Sequence, residues 1–293
     1  MKGRQRLSHE WNQQALIHAA RTLQGAGRVL PFSVYSSVKE QKIVNVPIIR
    51  PMLICVLDGS KRLGSKGEIV CPRGSFIVLS NHPSINMRNI PGDGEYLALI
   101  VEFEHDDFDC LPPKAARTVP FVQGEIGPVF EKTLQQFVEW AAFAPQAIWA
   151  ARRREILQLI YHLGHVQVSA VMEPPSLSHR LHSMICVEFG IEMGADVLAS
   201  RLALSESTLR RKLAAEGTTL QAIKDRARLG HGLHLVQTTF EPIGRVAERC
   251  GYQSQSRFTD KFKQFFGITP SELRKTRMRD EDRALLRRLP TND

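Results

Sequence analysis

The feature of this sequence that most constrains its fold is an internal repeat in the C-terminal third, where one pattern occurs twice about 48 residues apart. The copies span residues 197–217 and 246–267, and each begins with a short apolar segment that carries a small residue, Ala199 or Ala247. A serine then stands where its side chain can cap the next helix by accepting a free backbone N–H. Apolar residues define one face of that helix: Leu209 and Leu213 in the first copy, and Phe258, Phe262 and Phe265 in the second. The pattern predicts two helix-turn-helix units, in which the second helix presents its N-terminal residues to a DNA groove.

The outward residues of these two helices are the candidates for DNA contact. Arg and Gln side chains match the hydrogen-bonding edges of guanine and adenine, and the residues of this kind are Arg210, Arg211, Gln255 and Arg257. Ser, Thr and Lys side chains more often hold phosphates, and here they are Ser207, Lys212, Ser256, Thr259 and Lys263. We expect the two helices to contact base positions about 10 base pairs apart, because both lie on one face of the domain.

Positive charge is concentrated around the repeat. The chain has 293 residues and a formal net charge of +9, and residues 194–279 hold 16 basic against 8 acidic side chains. A basic surface commonly binds a polyanion, of which nucleic acid is the most abundant in a cytosol. A helical bundle with solvated polar faces is the alternative, and two tandem units in one basic domain make it the weaker interpretation.

Composition excludes other classes of protein. A hydrophobic fraction of 43% is ample for globular cores. Apolar stretches such as residues 52–57 are far shorter than a membrane-spanning helix, and no apolar signal segment follows the basic N-terminus. Five widely spaced cysteines without a Cys-x-x-Cys pair suit a reducing cytosol. We therefore expect a cytoplasmic protein with no membrane association.

The N-terminal part of the chain has a different pattern. Residues 1–28 predict a helix, and five runs between residues 29 and 103 are rich in β-branched and aromatic residues and separated by turn sequences. These runs predict a small antiparallel barrel or sandwich. The expected interior includes some of Val34, Ile54, Val56, Phe76, Val78, Leu97, Leu99 and Val101. Helical periodicity returns in residues 129–163, whose apolar face, rimmed by the arginines of residues 152–154, is expected to mediate dimerisation unless it packs wholly on the barrel.

Residues 177–279 resemble the DNA-binding domain of the AraC/XylS family of transcriptional regulators. The matching residues are Ile243, Val246, Ala247, Gly251, Tyr252, Phe258, Phe262, Lys263, Gly267, Ile268, Thr269, Pro270 and Arg274, preceded by Arg228, Leu229, Leu235 and Val236 in a central helix. The resemblance implies seven helices, insertion of both units into successive major grooves, and a DNA-binding role for Arg228. Gly230 and Gly232 depart from the family, which has better helix formers there, and each glycine should cost about 1 kcal/mol relative to alanine.

The first 170 or so residues resemble, on general layout, the family's cupin-like effector domain. The fold class expected is therefore α+β: a cupin-like small β-barrel with a helical dimerisation segment, followed by an all-α domain with two helix-turn-helix units. The boundaries are 1–173 for the effector and dimerisation domain, 174–178 for a linker, 179–279 for the DNA-binding domain and 280–293 for a basic tail. The barrel region holds His82 and His105 without a His-x-His pair, so no metal or cofactor is expected.

These observations favour a non-enzymatic, sequence-specific transcriptional regulator. Its expected partners are double-stranded promoter DNA, RNA polymerase, a second copy of the chain and a small-molecule effector that the sequence does not identify. Two alternatives stay open at this point. One is a cupin-type metalloenzyme with an appended DNA-binding module, and the other is an architectural protein that binds DNA without sequence preference.

Overall fold

The computed structural model of the chain describes residues 14–24, 29–81, 84–112, 118–172, 176–187 and 193–277. The predicted basic tail, the prolines of the predicted linker and residues 1–13 and 25–28 of the predicted N-terminal helix lie outside these ranges. Helix α1 (Gln14–Gln24) occupies the part of that helix that is described.

Nine strands in the described N-terminal residues form two antiparallel sheets. They are β1 (Ser33–Ser37), β2 (Gln41–Val46), β3 (Met52–Asp58), β4 (Ser60–Leu63), β5 (Ile69–Pro72), β6 (Ser75–Leu79), β7 (Ile85–Ile90), β8 (Tyr96–Glu102) and β9 (Phe121–Glu125). One sheet has the order β1-β8-β3-β6-β9 and the other the order β2-β7-β4-β5. The sheets are open and do not close into a barrel, so the sandwich interpretation describes them better than the cupin-like barrel.

Alternation along the strands divides the buried side chains between two cores, because successive residues of a strand point to opposite faces. Ile54 and Val56 lie between the sheets, as the sequence predicts. The other six residues expected in the barrel interior, among them Val34, Phe76 and Leu99, lie on the opposite face of the five-stranded sheet. That face is covered by helices, so the expected interior set mixes two layers.

The helices of the N-terminal region cover this outer face. Helices α2 (Pro128–Trp140) and α3 (Trp149–His162) bury Phe130, Leu134, Phe137, Val138, Ile156, Leu157 and Ile160 against it, together with residues of α1. The apolar face expected to mediate dimerisation therefore packs largely within the chain. Val129, Trp140 and Phe143 stay exposed.

The arginines expected to rim that face have partners within the chain. Arg153 Nε lies 2.5 Å from Oδ2 of the buried Asp107, and Arg154 Nε lies 3.9 Å from Oδ1 of the same carboxylate. Arg152 pairs with Glu155 at 2.5 Å. Arg153 and Arg154 therefore neutralise the buried Asp107, which lies in a short 3-10 helix at His105–Cys110, and the rim of charge around the apolar face stays a prediction.

The described C-terminal residues, 176–187 and 193–277, contain the seven helices that the family resemblance implies. They are α4 (Leu177–Val187), α5 (Ala195–Arg201), α6 (Glu206–Ala215), α7 (Leu220–Thr238), α8 (Ile243–Arg249), α9 (Gln255–Phe266) and α10 (Pro270–Lys275). Helix α7 is continuous through Gly230 and Gly232. A Cβ atom on Gly232 would lie 2.8 Å from Cε2 of Phe258, and one on Gly230 would lie 3.2 Å from Cγ of Pro47. The two glycines therefore permit close packing of α7 and do not interrupt it.

The hydrophobic core of the DNA-binding domain is divided within α7. Helices α4, α5 and α6 pack on the first part of α7, up to Ala227, in a cluster of their own. From Leu229 onward, α7 joins α8, α9 and α10 in a cluster that continues into the space between the two sheets. The second helix-turn-helix unit therefore shares its core with the sandwich, whereas the first has a separate core.

Candidate nucleic-acid interface and effector cavity

Helix α6 is built as the reading helix of the first unit. Its N-cap Ser205 accepts a hydrogen bond from the backbone N–H of Thr208 at 3.2 Å, as the sequence predicts. Leu209 and Leu213 are buried against the neighbouring helices. The four predicted DNA contacts on its outward side are exposed: Ser207, Arg210, Arg211 and Lys212.

The two arginines of α6 differ in their surroundings. Arg210 Nη2 lies 3.2 Å from Glu206 Oε2, one helical turn earlier, so it must exchange this exposed ion pair for a DNA contact. Arg211 forms no ion pair with any of the described residues. Arg211 is therefore the better placed of the two to meet a base edge.

Helix α9 repeats this arrangement in the second unit. Ser254 caps it by accepting a hydrogen bond from the N–H of Arg257 at 3.3 Å. Gln255, Ser256, Arg257 and Lys263 are exposed and Thr259 is half-buried. Phe258, Phe262 and Phe266 form the buried stripe, whereas Phe265, expected to face inward, is only partly buried beside the sandwich. Residues four apart lie on the same face of a helix, so Phe266, and not Phe265, continues the stripe that Phe258 and Phe262 begin.

The turns of the two units use the same backbone geometry. Ala203 and Gly251 stand at equivalent positions and have φ values of 54° and 75°. Arg228 of α7 lies half-buried beside the second turn, where a Cβ on Gly251 would be 3.4 Å from its Nε. Arg228 therefore supports the turn that precedes α9, and its expected contact with DNA stays a prediction.

A cavity of about 1190 Å³ lies between the sandwich and α7. The sandwich contributes mainly apolar side chains, and the helical domain contributes residues of α4 and α7. Its wall includes both apolar and polar side chains, among them Ile43, Ile54, Lys61, Met87, Asn89, Ile100, His182, His231, His234 and Arg277. No sequence pattern indicates this cavity, because its walls come from segments that are far apart in the chain.

Histidines of the helical domain border the cavity in their neutral form. Burial lowers the pKa of His182 to about 3 and that of His231 to about 4. His182 Nδ1 lies 3.2 Å from Sγ of Cys186, and His234 Nδ1 lies 3.1 Å from the hydroxyl of Tyr35 on β1. The second contact joins the two domains directly.

Most cations around the cavity have partners. Arg50 pairs with Glu104 at 2.7 Å, and Arg249 pairs with Glu241. Arg277 donates to the carbonyl oxygens of Val236 and Thr239 at 3.0 and 2.8 Å. Neither Arg277 nor Lys61 has a carboxylate partner among the described residues, and Lys61, which is only 2% exposed, donates instead to the side-chain oxygen of Asn89.

The described residues offer no grouping of three His, Cys, Asp or Glu side chains that would hold a metal ion. Among the same residues, no helix combines the length and the apolar character needed to span a membrane. His82, one of the two histidines of the barrel region, lies outside the described ranges.

Sequence comparisons identify the C-terminal part of the chain. Residues 198–276 match the family model described as a helix-turn-helix domain. The HTH-type transcriptional regulator GadX of Escherichia coli O6:H1 is 34% identical over 98 residues, which are 33% of this chain and 36% of GadX. The porin thermoregulatory protein EnvY of Escherichia coli K12 is 38% identical over 74 residues, 25% of this chain and 29% of EnvY. The chain thus spans about a third of the length of these curated relatives.

Structural comparison extends the likeness to both domains. ToxT from Vibrio cholerae, solved with an unsaturated fatty acid bound, superposes with a TM-score of 0.60 over 84% of this chain and 95% of ToxT, at 12% identity. ToxT bound to (E)-4-(8-methylnaphthalen-1-yl)but-3-enoic acid gives a TM-score of 0.60 over 85% and 99%, again at 12% identity. This likeness confirms the α+β fold class. Residues 198–276 are therefore a helix-turn-helix domain of the AraC/XylS type, carried by a chain with the mixed α+β fold of ToxT.

Proposed function

We propose that this protein is a sequence-specific, DNA-binding transcriptional regulator whose affinity for DNA is controlled by a small molecule. The observation that carries the proposal is the pair of capped helices α6 and α9, each of which exposes polar and basic residues over a buried apolar stripe. Arg211, Gln255 and Arg257 are the base-reading residues, and Lys212 and Lys263 hold phosphates. The regulator acts in the cytoplasm, on promoter DNA and RNA polymerase.

The cavity is the proposed effector site. It is large enough for a small organic ligand and is lined by both domains, so a ligand there would contact α7 and the sandwich together. Support for an apolar acid as the effector comes from ToxT, whose solved structures hold an unsaturated fatty acid and a naphthalenyl butenoic acid. The protein is proposed to act as a homodimer, and its exposed Val129, Trp140 and Phe143 are available for that contact.

Binding to a panel of single-base variants tests the DNA-reading proposal. A cognate site is first selected from random duplexes with the full-length chain. Arg211→Ala and Gln255→Ala should each lose about 1–3 kcal/mol on that site and relax selectivity at one base position. Lys212→Ala should weaken all sequences alike and reduce the slope of log affinity against log salt by about one unit.

Arg62→Ala, an exposed substitution in β4, is the matched control and should leave binding unchanged. Even losses for Arg211→Ala and Gln255→Ala across the whole panel would show that the helices do not read sequence. The architectural alternative would then be the better description.

A further inference from the structure

A row of polar side chains crosses the inner face of the four-stranded sheet. Gln41 of β2 pairs in register with Asn89 of β7, which pairs in register with Lys61 of β4. All three are buried, with exposed fractions of 2% each. A lysine is almost never buried to this extent without a partner, because removing its charge from water is costly. Packing alone therefore does not explain why these three polar side chains are buried.

Hydrogen bonds join this row to the last helix of the DNA-binding domain. Lys61 Nζ donates to Asn89 Oδ1 at 2.6 Å, and Asn89 Nδ2 donates to Gln41 Oε1 at 2.8 Å. Gln41 Nε2 donates to Thr276 Oγ1 at 2.7 Å. Thr276 Oγ1 in turn donates to the carbonyl oxygen of Leu273 at 2.6 Å. Every donor points the same way, from the ammonium group to α10, so the charge of Lys61 polarises the whole chain of bonds.

The ammonium group of Lys61 is not neutralised by the protein. Its hydrogen bond to Asn89 uses one of three donors, and its other neighbours are the ring of Tyr96, 5.5 Å from Nζ, and the thiol of Cys71. Burial lowers the pKa of this lysine to about 8, and burial raises the pKa of Cys71 to about 11. The ammonium group of Lys61 therefore lies beside neutral groups and keeps N–H donors for a further hydrogen bond.

Lys61 and Asn89 line the same cavity as apolar side chains of the sandwich. Ile43, Ile54, Met87 and Ile100 form the wall around them. A buried lysine without a carboxylate partner, set among apolar side chains of the cavity wall, is complementary to a ligand with an apolar body and a negatively charged group.

Resting on the proposed function, we propose that Lys61 binds the carboxylate of an apolar acid in this cavity and that the chain Lys61–Asn89–Gln41–Thr276 transmits its binding to the DNA-binding domain. The carboxylate supplies the negative charge that the protein lacks at this position. When the carboxylate binds, it offsets the positive charge that polarises the hydrogen bond from Lys61 to Asn89. The hydrogen bonds that follow, as far as α10, are then weakened or redirected.

The far end of the chain is placed to alter the second helix-turn-helix unit. The carbonyl oxygen of Thr276 accepts hydrogen bonds from the backbone N–H groups of Val38 and Lys39, at 2.8 and 3.1 Å, in the turn between β1 and β2. Leu273, one turn earlier in α10, is fully buried in the core shared with α9. A change at Thr276 therefore acts where the sandwich meets the core beneath the second reading helix.

Calorimetric titration of the full-length chain tests the site. The probes are oleate and, as its uncharged match, oleyl alcohol, both below their aggregation limits. Lys61→Met keeps most of the length of the side chain without its charge and should weaken oleate binding about tenfold or more, with the alcohol unaffected. Lys66→Met, an exposed lysine in the turn after β4, is the matched control and should bind both probes like the wild type.

Equal affinity of the wild type for acid and alcohol would overturn the assignment of Lys61, as would an absence of oleate binding. A second measurement covers a variant that fails to fold. In wild-type protein with biosynthetically ¹³C-labelled lysine, the Cε resonance of the buried Lys61 should shift on addition of oleate and stay in place on addition of the alcohol. A Lys61 resonance indifferent to oleate contradicts the proposal.

The transmission step is tested on DNA. In Thr276→Val, oleate should still bind within about threefold of wild type, but its effect on affinity for the selected DNA site should fall towards none. Thr133→Val, which removes a similar hydroxyl-to-carbonyl bond in α2, is the control and should keep the full effect. An undiminished effect in Thr276→Val would refute the transmission chain alone. A wild type that binds no DNA would refute the proposed function, whereas the calorimetry would still decide the Lys61 site.

Discussion

Gly232 shows how the absence of one methyl group sets the approach of two helices. It lies in α7 opposite Phe258, the first aromatic residue of the buried stripe of α9. A Cβ at this position would be 2.8 and 2.9 Å from the Cε2 and Cζ atoms of that ring, closer than packed atoms allow. Glycine has a lower helix propensity than alanine, but at this position it lets α7 contact the second reading helix closely.

Gly232→Ala should destabilise the protein, although alanine is the better helix former. The gain in propensity is about 1 kcal/mol, and the overpacking against Phe258 should cost about 1–3 kcal/mol, so the net loss is about 1 kcal/mol. Chemical denaturation of the full chain measures it. Gly230→Ala is the matched control and should have less effect, because its Cβ would meet only the ring of Pro47 at 3.2 Å. A Gly232→Ala protein that is more stable than Gly230→Ala would contradict this account.

Lys61 marks the limit of sequence reasoning at the scale of single residues. Exposed DNA-contact candidates such as Arg211 and Gln255 could be found, because the repeat itself fixes which side of a helix is apolar. Lys61 could not, because β4 is four residues long and its sequence, Ser-Lys-Arg-Leu, contains one apolar residue. Its burial depends on pairing with β5 and β7, which no local pattern shows.

At the scale of elements, the two helix-turn-helix turns solve one problem with different residues. Both need a left-handed residue after the first helix, and the chain supplies Ala203 in one unit and Gly251 in the other. For alanine this conformation costs about 1 kcal/mol or more, whereas glycine adopts it readily. The first turn is therefore strained and the second is not.

Exchanging the two residues should have opposite effects on stability. Ala203→Gly should be neutral or stabilising by up to about 1 kcal/mol, because the relief of strain exceeds the added entropy of the unfolded chain. Gly251→Ala should destabilise by about 1 kcal/mol, since its Cβ would only make an ordinary contact with Arg228 at 3.4 Å. Thermal unfolding of the two variants beside the wild type checks the signs. Two shifts in the same direction would rule out backbone strain as the cause.

The predicted strands lie in runs rich in β-branched and aromatic residues, and three of them, β3, β6 and β8, are buried on both faces. The runs predicted between residues 29 and 103 correspond to β1, β3, β5, β6 and β8. Strands β2, β4 and β7 combine polar residues with few apolar ones, and β9 lies beyond the predicted region. Three of these four belong to the second sheet, which faces solvent on one side, so the sandwich was harder to see than its larger sheet.

At the scale of the whole molecule, the division between domains does not coincide with the division between cores. The first helix-turn-helix unit has its own core, and the second is continuous with the sandwich. Contacts across this boundary include the bond from Asn45 Nδ2 to the carbonyl oxygen of Phe265 at 3.1 Å. The sandwich therefore shares its core with the second reading helix and not with the first.

A fragment that begins at residue 177 should bind a single selected DNA site, because it keeps both reading helices and α7. It should lose stability unevenly. Hydrogen exchange should find the amides of α8–α10 less protected than in the full chain, with those of α5 and α6 nearly unchanged. Full-length protein should bind paired sites more tightly, since linked modules raise the effective concentration. A fragment that fails to bind DNA, or that loses protection evenly, would disprove this division.

The core that runs on from the sandwich into α8–α10 also limits how such proteins can be recombined. A chimera joined at the linker near residue 174 would give the second unit a foreign surface where the hydroxyl of Tyr35 and the side chain of Gln41 now meet His234 and Thr276. New sensing domains for this reader must therefore carry compatible first two strands, β1 and β2, as well as a pocket. The DNA specificity of the first unit is simpler to change. Its core is separate, so α5 and α6 can be replaced without disturbing the sandwich.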